Sequence, residues 1–117
     1  MLDTSPLTAV VERFADRLRA APQSRLQQGA AAVALELARE LSVRAQVLEG
    51  PGPAREMPDA GIFVVGDQVA VAGLDLAEAL RGAAAAGAGA GDGTKAPSVV
   101  LDEAVRLVEQ ADVRAMR

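Results

Sequence analysis

The chain has 117 residues, half of them apolar, with a formal net charge of −4 and a pI near 4.8. Alanine occurs 26 times, Phe14 and Phe63 are the only aromatics, and histidine, cysteine, tyrosine and tryptophan are absent. Those absences exclude disulfides, thiolate nucleophiles, cysteine- or histidine-bound metals and a Ser-His-Asp arrangement, and with them most familiar reaction chemistry.

The first element is a helix. Ser5 is placed as its N-cap and Pro6 at its first helical position. Leu7, Val10/Val11, Phe14, Leu18 and Ala21 recur at three- and four-residue steps as one apolar stripe, while Glu12, Arg13, Asp16, Arg17 and Arg19 fall off it. Pro22 stops it, because proline disfavours a helical residue before it.

Ser24 followed by Gln27 matches a capping box, and no proline interrupts the chain from there to Leu48. Leu26, Ala30, Val33, Leu37, Leu41, Ala45 and Leu48 form its stripe, with Glu36–Arg39 and Glu40–Arg44 at ion-pair spacing. The expectation is one continuous second helix on the order of 37 Å long, closed by Gly50-Pro51. Leu35, Val43 and Val47 lie outside the stripe, so this helix is apolar on more than one side and presents a candidate interaction surface. Residues 50–58 hold three prolines and read as an extended, stiff connector.

Two readings compete over residues 61–80. Ile62 to Val71 has β-branched residues on both sides of Gly66-Asp67, which suits a hairpin with a type II′ turn. The helical reading starts with Asp59 as N-cap and runs to about Ala86, with Ile62, Val65, Val69, Ala72, Leu76, Ala79 and Ala83 alternating steps of three and four. It covers twice the length with a single period and is preferred. Gly61, Gly66 and Gly73 weaken it by up to about 1 kcal/mol each, but Gly66 and Gly73 share a face on which a neighbouring helix can approach closely. The stretch at about 82–97, rich in alanine and glycine, has nothing to bury and reads as a flexible loop. Its Gly91-Asp92-Gly93-Thr94-Lys95 run has the residue types of a phosphate cradle without the Walker A order, so a linker is preferred. Ser98, after Pro97, is placed as cap of a last helix whose Val100/Leu101, Ala104/Val105, Val108 and Ala111/Ala115 face inward.

The expected fold is therefore all-α: residues 1–117 form a single helical domain, a small four-helix up-and-down bundle in which the first two helices pair. An α+β fold with a β-hairpin at about 62–72 is the alternative. Phe14 and Phe63 are expected to fill core space together. Carboxylates are the only plentiful reactive groups, but Glu36/Glu40 and Asp75/Glu78 lack the histidine of helical metal sites and read as a solvated face. No catalytic residue, cofactor or metal is assigned. No segment is long and apolar enough to span a membrane, and the N-terminus lacks the basic and apolar regions of a secretory signal, which points to the cytoplasm. The arginine, alanine and glycine skew points to a GC-rich, bacterial genome.

The function expected is a non-enzymatic interaction or structural module, self-associating as a homodimer or serving as an accessory subunit, with Leu35, Val43 and Val47 at its contact. A carrier or sensor of a small apolar ligand held between helices is the first alternative. A winged-helix-like DNA-binding regulator is the second, and the net charge opposes it, as it opposes nucleic-acid binding generally.

Overall fold

A computed structural model of the chain describes residues 2–50, 52–53, 55–87 and 95–117. Helix α1 runs over Ser5–Ala20 and buries Leu7, Val11, Phe14 and Leu18 of the stripe read from the sequence, together with Ala15 beside it. Its cap lies upstream of the expected Ser5. The carboxylate of Asp3 accepts the Ser5 backbone N–H at 3.0 Å, and also the Ser5 hydroxyl. Ala21 turns extended (φ −70°, ψ 142°) ahead of Pro22, and Arg17 and Arg19 sit where the negative end of the helix dipole favours them.

The expected continuous second helix is divided. A short turn, Gln23–Arg25, leads into a widened turn, Leu26–Ala30, in which Gly29 adopts φ 143°. The Ala31 N–H reaches back five residues to the Leu26 carbonyl across this break. Glycine reaches that conformation without steric cost and is the poorest helix former after proline, so the break falls there despite the unbroken apolar spacing. Ser24 makes no side-chain cap. The helix proper, α2, is Ala31–Glu49 and buries Ala34, Leu37, Ala38, Leu41 and Ala45. At its end Gly50 has φ 112°, the positive value expected of a glycine after a helix.

The proline-rich connector then runs back along α2. Gln46 pairs with the backbone of Arg55 through both ends of its amide, donating to the carbonyl at 2.9 Å and accepting the N–H at 2.8 Å. Further back, Arg39 Nε donates to the Met57 carbonyl at 2.8 Å, and Asp59 and Gly61 share a crevice with Ala31, Ala32 and Leu35. The chain is thereby returned to the end at which α2 began, so α2 and the next helix point the same way. Asp59 accepts the Gly61 N–H at 3.0 Å in a local turn and caps no helix.

Helix α3 is Val65–Ala85, entered through a turn at residues 62–64. The helical reading of this segment holds, beginning six residues later than its proposed cap. No strand occurs among the described residues, so the hairpin at about 62–72 is absent, and with it the wing that the DNA-binding alternative would need. The period of the whole segment decides this, together with close packing on α1. A Cβ placed on Gly73 would lie 2.5 Å from Val11 Cγ1, and one on Gly66 would lie 3.1 Å from the Ala15 carbonyl oxygen. Both glycines thus admit α1 against the backbone of α3, as their seven-residue spacing implied. These contacts, with Arg81 beside Thr4, set α1 and α3 antiparallel.

Helix α4 is Pro97–Ala115, with Pro97 in its first turn and Ala96, not Ser98, at the cap position. It buries Leu101, Ala104, Val108, Ala111 and Ala115. The result is the expected all-helical, four-helix arrangement, but its helices do not alternate up and down along the chain. The connector returns the chain before α3 begins, so α2 and α3 run parallel, and the expected pairing of the first two helices gives way to α3 between them. Its largest interfaces are those of α3 with α2 and with α1, and α4 packs across α1 and α2. Direct α1–α2 contact is minor, since each of them packs on α3 and α4 instead. Ten of the 23 buried apolar residues are alanine, so the helices meet largely through small side chains. The proposed flexible loop at about 82–97 overlaps α3 as far as Ala85 and otherwise lies mostly outside the described residues, as does the Gly91–Lys95 run except for Lys95.

One expectation about the core fails. Phe14 is fully buried, but Phe63 lies in the turn before α3 and is 72% exposed. The two phenylalanines therefore neither fill the core together nor line a shared pocket. Phe63 precedes the helix, so the periodicity that placed it does not apply to it.

Candidate functional site

The polar groups are distributed over the surface. Glu36, Glu40, Asp75 and Glu78 are all exposed, and no group of three potential metal ligands converges among the described residues. Arg44 pairs with Glu40, as the spacing predicted. Arg39 instead turns to the connector, 3.5 Å from Glu56 and bonded to Met57. Arg106 reaches the Asp102 carbonyl at 3.5 Å and makes no ion pair with its carboxylate. Lys95 contacts Glu103 at 2.8 Å, and its ammonium holds that carboxyl below the ordinary range. Between helices, Arg17 Nη1 donates to both oxygens of Asp112 at 2.9 Å.

At the junction of α1 and α3, Arg19 grips one oxygen of Asp67 through Nη2 at 2.7 Å and Nε at 3.0 Å, and reaches Asp16 at 3.1 Å. The Asp67 hydrogen bond, opposed by burial and helped by Asp16, raises the guanidinium pKa further above its ordinary value. Its charge is permanent at any working pH.

Among the described residues, large apolar side chains are exposed in two groups, besides Val99 and Val113, which are exposed singly near opposite ends of α4. The first is the face of α2 singled out in the sequence. Val43 is 53% and Val47 71% exposed, and both border an open groove of about 870 Å³ between α2 and residues 50–57. Leu35 is half-buried against the core and borders a second groove with Glu36, Arg39, Glu40, Val43 and Asp59. The three residues thus lie along one side of α2, next to the returning connector, with Val43 common to both grooves.

The second surface was not singled out. Val64, Val71 and Leu74 are 40%, 53% and 54% exposed on the outward side of α3, and the exposed Phe63 stands in the turn that enters it. Val64 and Val71 are seven residues apart and Leu74 is three further, which puts them on one face. A shallow groove at its edge, lined by Thr8, Glu12, Asp16, Arg19, Ala70 and Leu74, separates it from α1. The signal was present in the sequence as three large apolar residues off the main stripe, but Asp67, Asp75 and Glu78 on the same side made that face read as polar.

Comparison with protein-family models, curated proteins and solved structures finds no match.

Proposed function

We propose that the chain is a non-enzymatic interaction module that works by associating through apolar helix faces, with a second copy of itself or with another protein. The observation that carries this reading is the exposure of six large apolar side chains in two groups, Val43 and Val47 on α2, and Phe63, Val64, Val71 and Leu74 on α3 and the turn before it. Single exposed valines need no explanation, but grouped ones mark surfaces that are covered in use. An alanine-rich core adds to the argument, because it buries little apolar area per residue and gains from further burial at an interface. The scatter of exposed carboxylates supports a role without catalysis.

A carrier of a small apolar ligand draws some support from the groove beside α2. That groove is open, however, and rimmed by Arg39, Glu49, Arg55 and Glu56, which suits a macromolecular contact better than retention of an apolar molecule. Sedimentation equilibrium over a wide concentration range tests self-association. A dimer or larger species is expected, and a strict monomer at the highest concentration removes self-association from the reading.

A further inference from the structure

We propose that the outward face of α3 is the surface on which a second copy of this chain docks, with Phe63, Val64, Val71 and Leu74 at the centre of a two-fold interface. This rests on the self-association reading and assigns its surface.

Area favours α3 over α2. With ordinary side-chain areas, the exposures of the four residues correspond to about 400 Å² per copy. Two such faces supply about 800 Å² of apolar surface, close to the apolar share of a standard interface that buries about 1,600 Å² in all. On α2 only Val43 and Val47 are large and exposed, and the connector already lies along its flank. The α3 face also carries the one exposed aromatic of the chain, a residue class enriched at the centres of interfaces.

The shape is self-complementary. Phe63 and Val64 lie at one end of the row, Val71 and Leu74 at the other. When two copies cross antiparallel about a two-fold axis, each end meets the opposite end of the other copy, which is the requirement of an isologous contact. Asp67 falls near the axis, where two bare carboxylates would repel. Each is held by its own Arg19, which reduces that repulsion without cancelling it, because the same guanidinium also reaches Asp16.

The rim is different, because Asp75 and Glu78 flank the row and each copy carries a net charge of −4. Docking is therefore driven by apolar burial against like-charge repulsion, and added salt strengthens it by screening that repulsion. A basic amphipathic partner on the same face would show the reverse dependence.

The test is sedimentation equilibrium of the full chain at about 0.05 M and 0.5 M salt, where screening differs several-fold in range. Wild type is compared with Val71→Gln/Leu74→Gln and with Val43→Gln/Val47→Gln, with circular dichroism confirming that both variants keep their helices. The expected result is a wild-type dimer that tightens with salt, is weakened at least about a hundredfold by the α3 variant, and is unchanged by the α2 variant. A dimer lost in the α2 variant alone, retained in both variants, or weakened by salt overturns the α3 interface and leaves self-association standing. A wild-type monomer under all conditions overturns both.

Discussion

Gly73 is the position where this fold is least able to accept a side chain. A Cβ there would lie 2.5 Å from Val11 Cγ1, 2.7 Å from Val11 Cγ2 and 3.0 Å from Val11 Cβ. Rotating Val11 gives no relief, since both γ-methyls and the β-carbon itself are in the way, and a valine in a helix is largely confined to one χ1. The helices must move apart instead, which costs about 2–3 kcal/mol, the upper part of the range for an overpacked core, because three atoms of Val11 are too close. Against this, alanine gains about 1 kcal/mol over glycine in a helix interior, so Gly73→Ala is expected to destabilise by about 1–2 kcal/mol. Gly82, in the same helix, has nothing within 4 Å of the corresponding Cβ. There the propensity term acts alone, and Gly82→Ala is expected to stabilise by about 0.5–1 kcal/mol. Urea unfolding followed by circular dichroism measures both, and combining Gly73→Ala with Val11→Ala, which removes a buried side chain, should cost less than the sum of the two single changes. If the two glycine substitutions change stability equally, close approach of α1 and α3 is not the reason for Gly73.

Phe14→Ala should cost about 3–5 kcal/mol, as for a fully buried aromatic, whereas Phe63→Ala should stay within about 0.5 kcal/mol of wild type when unfolding is followed at a protein concentration low enough to keep the chain monomeric. Replacing Gln46 by leucine removes both amide bonds to Arg55, so trypsin should cut after Arg55 several times faster while overall stability falls by only about 1 kcal/mol; an unchanged cutting rate means that the connector is held by other contacts. Thermal stability should be flat from about pH 6 to pH 8, because no histidine is present to titrate there. In acid the sign is fixed by Asp3, held low by the Ser5 hydroxyl and then its backbone N–H, and by Glu103, held low by Lys95. Their contribution is complete above ordinary carboxylate pKa values of about 4 and is lost as pH falls through their depressed folded values. Lys95→Met should remove the Glu103 part of that acid dependence in a pH titration followed by circular dichroism.

The stripes of α1 and α4 were legible because a helix buried on one side writes its face at steps of three and four, and Pro22 and Pro97 mark the adjoining boundaries. The break at Gly29 was not legible. Leu26 and Ala30 keep the helical spacing across it, and the conformation of one glycine is set by where the flanking segments must pack. Capping failed for a related reason. Ser5, Ser24 and Ser98 each stand one or two residues past the cap positions, which are Thr4, Pro22 and Ala96, and none of these makes a side-chain cap bond; at α1 the Asp3 carboxylate takes the Ser5 N–H instead. At the candidate surfaces, periodicity locates residues outside a stripe, but it does not tell whether the chain itself returns to cover them.

That distinction changes the meaning of the surplus apolar residues on the second helix. A helix apolar on more than one side points either to a central position or to a partner. α2 meets much of this demand within its own chain, with α3 and α4 on its inner side and the connector running back along it. Leu35 accordingly packs against the core, as do Met57 and Ile62 from the connector and its end. Only Val43 and Val47 are left over. The connector that covers α2 also delivers Phe63 and Val64 to the start of α3, with Val64 on the face of Val71 and Leu74. One extended segment thus covers part of α2 and leaves Phe63 and Val64 exposed at the start of α3. The larger uncovered apolar area therefore lies on the helix whose outward face is mixed in the sequence, and not on the one that is apolar on more than one side.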